Sequence, residues 1–272
     1  MEWKNIYRGL LMGASDVIPG VSGGTLALLL GIYDRLIEAI NGLFSREWKK
    51  HLSFLVPLGI GVAIAIFSLA KLIVWLQNNY PAPLHFFFLG LILGVLPYLF
   101  THAKVSETFK PIHYIILVVG AVLIGSIEFM DVSAGQTIIE NRSTMIYVYL
   151  FFSGFLASAA MILPGISGSM IMLVIGAYFT IMNAIKNLYL DVIIVTGIGI
   201  AIGIFTMSRL IAYFLQKYRT GTFACVIGFV IGSLVIVFPG WPGSTNMMLM
   251  SIVTFAAGLF LAYILGKVEY KE

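Results

Sequence analysis

Residues 14–25 read ASDVIPGVSGGT, and residues 159–170 read AAMILPGISGSM. Each stretch puts a Pro-Gly pair inside an apolar segment and follows it with a Ser-Gly pair. Proline has no N–H and collides with the turn before it. The adjacent glycines free the backbone further. A straight helix through either stretch is therefore not expected; each segment should form two arms meeting at a turn around Pro19-Gly20 and Pro164-Gly165.

The similarity extends well beyond the turn. At an offset of 145, residues 9–43 match residues 154–188 at 13 of 35 positions, including Pro19/Pro164, Gly20/Gly165, Ser22/Ser167, Gly23/Gly168, Gly31/Gly176 and Tyr33/Tyr178. At an offset of 138, residues 59–100 match residues 197–238 at 14 of 42 positions, with Gly90/Gly228 and Gly94/Gly232 identical and Lys71 opposite Arg209. Apolar composition would exchange Leu for Ile or Val freely, but it would not set Pro, Gly, Ser, Gly and Tyr in one order twice. The chain reads as one membrane domain over residues 1–272, built of two repeats at about 1–135 and 140–272.

Composition sets the solvent. The 272 residues are 60% hydrophobic and 10% charged, with a mean hydropathy of +1.01, whereas a soluble domain is about 25% charged. Lipid accepts that apolar surface and water would not. The net charge of +4 sits at the ends of apolar segments and is no nucleic-acid signal. Cys225, the single cysteine, lies in an apolar run and reads as a packing residue; the four histidines lack metal-ligand spacing, so no metal or cofactor is expected. The N-terminal segment has a copy inside the chain and reads as mature structure.

A helix needs about 20 apolar residues to span a bilayer, and helix is required because hydrocarbon leaves bare backbone groups unpaired. Full spans are expected near 53–76, 84–101, 112–130, 190–215, 222–239 and 246–266. The fold class is thus an all-α polytopic membrane protein, each repeat a re-entrant, broken hairpin plus three transmembrane helices. The arm over 9–18 is too short to cross, whereas the arm over 144–163 is long enough, so whether the arms fully span stays open. A returning hairpin with three crossings is an odd number, so the second repeat would be inverted. With the N-terminus in the cytoplasm, twelve loop or terminal cations fall inside and two, Arg142 and Lys186, outside. That bias fits the positive-inside rule and puts both termini in the cytoplasm of a multi-pass protein.

Inverted repeats with paired broken helices are a transporter pattern, with the site near the midplane. Ser22, Gly23, Gly24 and Thr25, and in the second copy Ser167, Gly168 and Ser169, each open a returning arm. Free amides and a positive dipole end there suit an anion, phosphate above all. The alternative is that these residues only break the helix and allow close packing. Asp16, opposite Met161 in the second copy, is a candidate for binding a coupling proton or sodium ion, or a capping residue at the turn. Lys71 and Arg209 are candidate phosphate ligands, or snorkelling cations. Tyr33 and Tyr178 read as interface or packing-seam residues.

GASDVIPGVSGGTLALLLGIY (13–33) and its echo ASAAMILPGISGSMIMLVIGAY (157–178) closely resemble a bacterial family associated with polyprenyl-phosphate (undecaprenyl-phosphate) transport. The resemblance covers nearly the whole chain. It implies a translocase, not an enzyme, that recycles the lipid carrier across the cytoplasmic membrane for cell-wall synthesis. Its partners would be the polyprenyl-phosphate lipid and the bilayer. Two other classes stand beside it: a secondary transporter of a small soluble anion, and a membrane polyprenyl-pyrophosphate phosphatase. The Ser-Gly turns carry no nearby Arg or His, which counts against the phosphatase because it would need a base or nucleophile and a cationic clamp.

Overall fold

The structure, a computed structural model, describes residues 1–16, 22–129, 139 and 143–269, apart from the side chains of 69–71, 73, 74, 186, 268 and 269. Pro19 and Gly20 and the side chain of Lys71 lie outside the described residues. Every regular element among the described residues is helical. In the first half these are α1 (Asn5–Asp16), α2 (Gly23–Leu29), α3 (Tyr33–Gly42), α4 (Trp48–Asn79), α5 (Pro81–His102), the short α6 (Val105–Thr108) and α7 (Pro111–Gly125), which runs into a 3-10 turn at Ser126–Phe129. The second half holds α8 (Thr144–Ile162), α9 (Gly168–Ile175), α10 (Tyr178–Asn187), α11 (Leu190–Lys217), α12 (Arg219–Val237) and α13 (Thr245–Glu269).

Seven helices among the described residues are long and apolar enough to cross a membrane: α4, α5, α7, α8, α11, α12 and α13. Each of the six spans expected from sequence falls on one of them, and the seventh is the longer leading arm, α8. Proline opens α5 and α7 at the first helical position, where the missing N–H costs nothing. The α9–α10 pair is bent by 111°. Gly176, in the left-handed region at φ 88°, ends α9 at that bend.

Four tight helix pairs build the frame: α1 on α4, α8 on α11, α5 on α13 and α7 on α12. Their contacts recur at the offsets of the sequence match. A Cβ on Gly90 would meet the Phe255 carbonyl oxygen at 2.2 Å, and one on Gly228 the Leu117 carbonyl oxygen at 2.2 Å; Gly90 and Gly228 stand 138 apart, and so do Leu117 and Phe255. Gly61 lies as close to the Ile6 carbonyl and Gly199 to the Phe151 carbonyl, each at 2.1 Å for an added Cβ. In lipid, helix association draws on close backbone approach rather than on expulsion of water, so small residues carry the seams.

Inside this frame sits α2, all seven of whose residues are buried. Its leucines join Ile92 and Val95 of α5 and Ile227 and Val230 of α12 in the main apolar core. Large apolar side chains point the other way as well: Phe67, Val118 and Phe260 are exposed, as a lipid-facing surface requires. One contact breaks the pattern. α3 packs on α11, where Asn41 Nδ2 donates to the Ser208 carbonyl at 2.9 Å.

The seams give a direct test. Gly90→Ala and Gly228→Ala should each destabilise the bundle by about 1–3 kcal/mol, the usual cost of overpacking. Gly59→Ala, with nothing within 4 Å of its added Cβ, should be close to neutral. Unfolding of the purified protein in detergent checks this, and equal midpoints for all three variants would refute the backbone-contact account.

Candidate functional site

The chain breaks at Pro164-Gly165, between α8 and α9. Gly165 has φ 86°, a left-handed conformation that glycine adopts without strain. A Cβ there would also lie 2.5 Å from the Phe229 carbonyl oxygen of α12, so the turn presses on a neighbouring backbone. The Gly165 amide, which the broken helix leaves unpaired, donates to Thr25 Oγ1 of α2 at 2.8 Å. Tyr33 Oη donates to the Ile162 carbonyl, at the end of α8, at 3.1 Å. The structure therefore brings Thr25 of the first motif against Gly165 of the second at the centre of the bundle.

The two motifs are not equivalent in detail. At the N-terminus of α2, Asp16 Oδ1 accepts from the Gly23 amide at 2.7 Å and Ser22 Oγ accepts from the Gly24 amide at 3.2 Å. A carboxylate thus occupies the amide of the first motif. At α9, Ser167 makes no side-chain cap; its Oγ lies 2.8 Å from Ser169 Oγ. Ser22, Thr25 and Ser167 are all buried. Asp16, offered by the sequence both as a coupling site and as a cap, here caps α2.

Arg209 is exposed on α11 and has no hydrogen bond or ion pair among the described residues. Its neighbours Met207, Leu210 and Ile211 line a cavity, but Arg209 does not. Tyr33 is a buried seam residue between the halves, as expected, while Tyr178 is half-buried at the start of α10.

That cavity is the largest one described, about 970 Å³, between α7, α11 and α12. Its inner end reaches Leu163 and Tyr33, beside the meeting point of the hairpins. Its walls are apolar, including Ile116, Leu210, Phe214 and Phe229, and Lys110, His113, Lys217 and Arg219 stand on its lining. In sequence these cations figured as markers of topology alone. The available signal was Lys217-Tyr218-Arg219 packed into one interhelical turn, but nothing in the sequence puts that turn beside Lys110. A second groove of about 570 Å³, between α5, α12 and α13, is lined by apolar residues including Phe86, Phe238 and Trp241.

A bundle of apolar spans with two broken segments meeting inside it, and an apolar cavity with cations on its lining, defines a multi-pass membrane protein. Residues 12–255 match the undecaprenyl phosphate translocase-like family. The chain is 41% identical over 276 residues to a polyprenyl-phosphate transporter of Staphylococcus aureus, covering 98% of this chain and 97% of that one. It is 36% identical over 254 residues to a polyprenyl-phosphate transporter of Vibrio cholerae, covering 88% and 79%. The chain belongs to this translocase-like family. No solved structure matches it.

The Asp16 cap can be measured. A Cβ on Gly23 would lie 2.7 Å from Asp16 Oδ2, so Gly23→Ala should displace the carboxylate just as Asp16→Ala removes it. A hydrogen bond to a charged group contributes about 1.5–3 kcal/mol. The single variants should each lose stability on that scale, and the double variant little more. Additivity within about 0.5 kcal/mol would show that the two residues do not act together.

Proposed function

We propose that this chain is a polyprenyl-phosphate translocase that returns the lipid carrier across the bacterial cytoplasmic membrane. It is a transporter and not an enzyme. The observation that carries the reading is the 970 Å³ cavity, which runs from a cationic lining to the junction of the two hairpins at Leu163 and Tyr33. The family membership agrees with it. A phosphate headgroup with an isoprenoid tail has both an anion to place and an apolar chain to solvate. Apolar walls suit that chain better than they suit a small soluble anion, which would need polar groups along its path.

The energetic task is plain. A phosphate stripped of water in hydrocarbon is prohibitively unfavourable, so the protein must replace its hydration. We assign that role to the turns: Ser22, Gly23, Gly24 and Thr25 of one hairpin, and Ser167, Gly168 and Ser169 of the other. Asp16 shows what the first turn accepts, because its own carboxylate takes the Gly23 amide there. The headgroup would displace it, and a coupling proton or sodium ion would bind at this carboxylate. Lys71 and Arg209, matched in the two halves, would meet the phosphate only outside the cavity, as it enters or leaves near the two faces, because Arg209 is not on the cavity lining.

The two halves are read as inverted repeats. Supporting this, Asp34 at the start of α3 lies 3.8 Å from Arg219 at the start of α12. Tyr147 near the start of α8 donates to Asp191 at the start of α11 at 2.6 Å. The long α11 runs from there to Lys217, beside Arg219. The first hairpin would thus open toward the cationic face and the second toward the opposite one. Rocking one half against the other would then expose the turns to each leaflet alternately. By the charge bias, the cationic face and both termini are cytoplasmic.

Reconstituted liposomes test the whole reading. The purified chain should accelerate leaflet exchange of a labelled polyprenyl phosphate, and Ser167→Ala with Ser169→Ala should slow it by about tenfold or more, the equivalent of one lost hydrogen bond to a charged group. Exchange by the parent protein no faster than in empty liposomes would refute it. Asp16→Asn with unchanged exchange and unchanged pH dependence would remove the coupling role.

A further inference from the structure

We propose that Lys110, Lys217 and Arg219, with His113, form a second phosphate-binding site at the rim of the cavity, which holds the headgroup of a prenyl phosphate at the membrane surface while its first isoprene units occupy the apolar interior. The inference rests on the translocase reading but concerns a site separate from the hairpin turns.

Four features converge. First, the cations come from three different places in the chain, the residue before α7, the end of α11 and the start of α12, and the fold brings them to one cavity. Second, no carboxylate lines that cavity, and neither Lys110 nor Lys217 has an ion-pair partner among the described residues. Lys217 Nζ instead donates to Tyr213 Oη at 3.0 Å and lies over the Tyr213 and Tyr218 rings, and Arg219 lies over Phe223. Aromatic faces steady a cation without neutralising it. Arg219 is shared, because Asp34 stands 3.8 Å away on the other side.

Third, His113 is set up as a donor. Its Nδ1 accepts from the Lys110 amide at 2.9 Å, which places the ring proton of the neutral imidazole on Nε2. Two ammonium groups, a guanidinium and an imidazole N–H suit the three oxygens of a phosphomonoester. Fourth, the walls behind the cations are Ile116, Leu210, Ile211, Phe214 and Phe229. A free phosphate would use the rim and leave these walls unoccupied; a prenyl phosphate uses both. The opposite groove, bounded by Phe86, Phe238 and Trp241, has no cation on its lining. The headgroup is therefore held more strongly at one face than at the other, which favours accumulation of the lipid there.

Binding of farnesyl phosphate, farnesol and inorganic phosphate to the purified full chain in a neutral detergent separates the contributions. Farnesyl phosphate should bind well and inorganic phosphate far more weakly. Lys217→Gln combined with Arg219→Gln should weaken farnesyl phosphate at least about tenfold, on the scale of one desolvated charge contact, and leave farnesol unchanged. Lys217→Arg should retain binding. Leu210→Trp, at an exposed wall position, should weaken farnesyl phosphate and farnesol alike. Farnesyl phosphate binding within twofold of the parent in the Gln pair, or equal competition by phosphatidylglycerol, would overturn the site. If that happens while the parent still exchanges polyprenyl phosphate in liposomes, only the rim site falls; if exchange itself is absent, the translocase reading falls first.

Discussion

A polypeptide broken inside hydrocarbon must pair its own free backbone groups, because no water is there to do it. Much at the centre of this bundle follows from that constraint. The proline-glycine turn after α8 strips one amide of its helical partner, and Thr25 Oγ1, from the other half of the chain, accepts it. Where α2 begins, its first amides have no helical partner, and Asp16 and Ser22 accept from them. Each break is thus closed by a residue outside the broken helix or at its cap. The two broken segments are pinned to one another as a result, with Tyr33 on the Ile162 carbonyl as a further tie.

Around this polar junction the helix pairs repeat one packing scheme. Glycines at matched positions let α5 approach α13 and α12 approach α7 to near backbone contact, and Gly61 and Gly199 serve the other two pairs. The junction departs from that regularity. Thr25 faces Gly165, but its sequence counterpart Met170 has no hydroxyl to return the bond; Asp16 caps α2, but its counterpart Met161 caps nothing. The α3–α11 contact through Asn41 and Ser208 adds to the departure. The frame is thus regular and its centre unequal.

The legible part of the candidate site was the motif, and the hidden part was the cavity. Pro164-Gly165 and Ser167-Gly168-Ser169 announce a broken helix because proline cannot donate and glycine relaxes the backbone, both local effects. Lys110 and Lys217-Tyr218-Arg219 announce only an interfacial turn. Their cooperation depends on α7 lying beside α12, a contact between residues more than 100 positions apart. Arg209 shows the converse. Its match to Lys71 marks it as special, yet the turn of α11 that points Leu210 and Ile211 into the cavity leaves Arg209 on the outside.

The amino-acid sequence by itself determined the solvent, the helical class, six of the seven spans, the break after α8 and the matched motifs. Each of these rests on composition, on local backbone chemistry or on pattern along the chain. Tertiary structure alone decided that Thr25 would meet Gly165, that Asp16 would occupy the amide of α2, and that three distant cations would line one apolar cavity. The physical reason is one of range. Periodicity and proline act over a single turn of helix, whereas a hydrogen bond or a shared cavity between halves depends on which faces of which helices pack, and in lipid that choice is made by close glycine contacts spread along the whole chain.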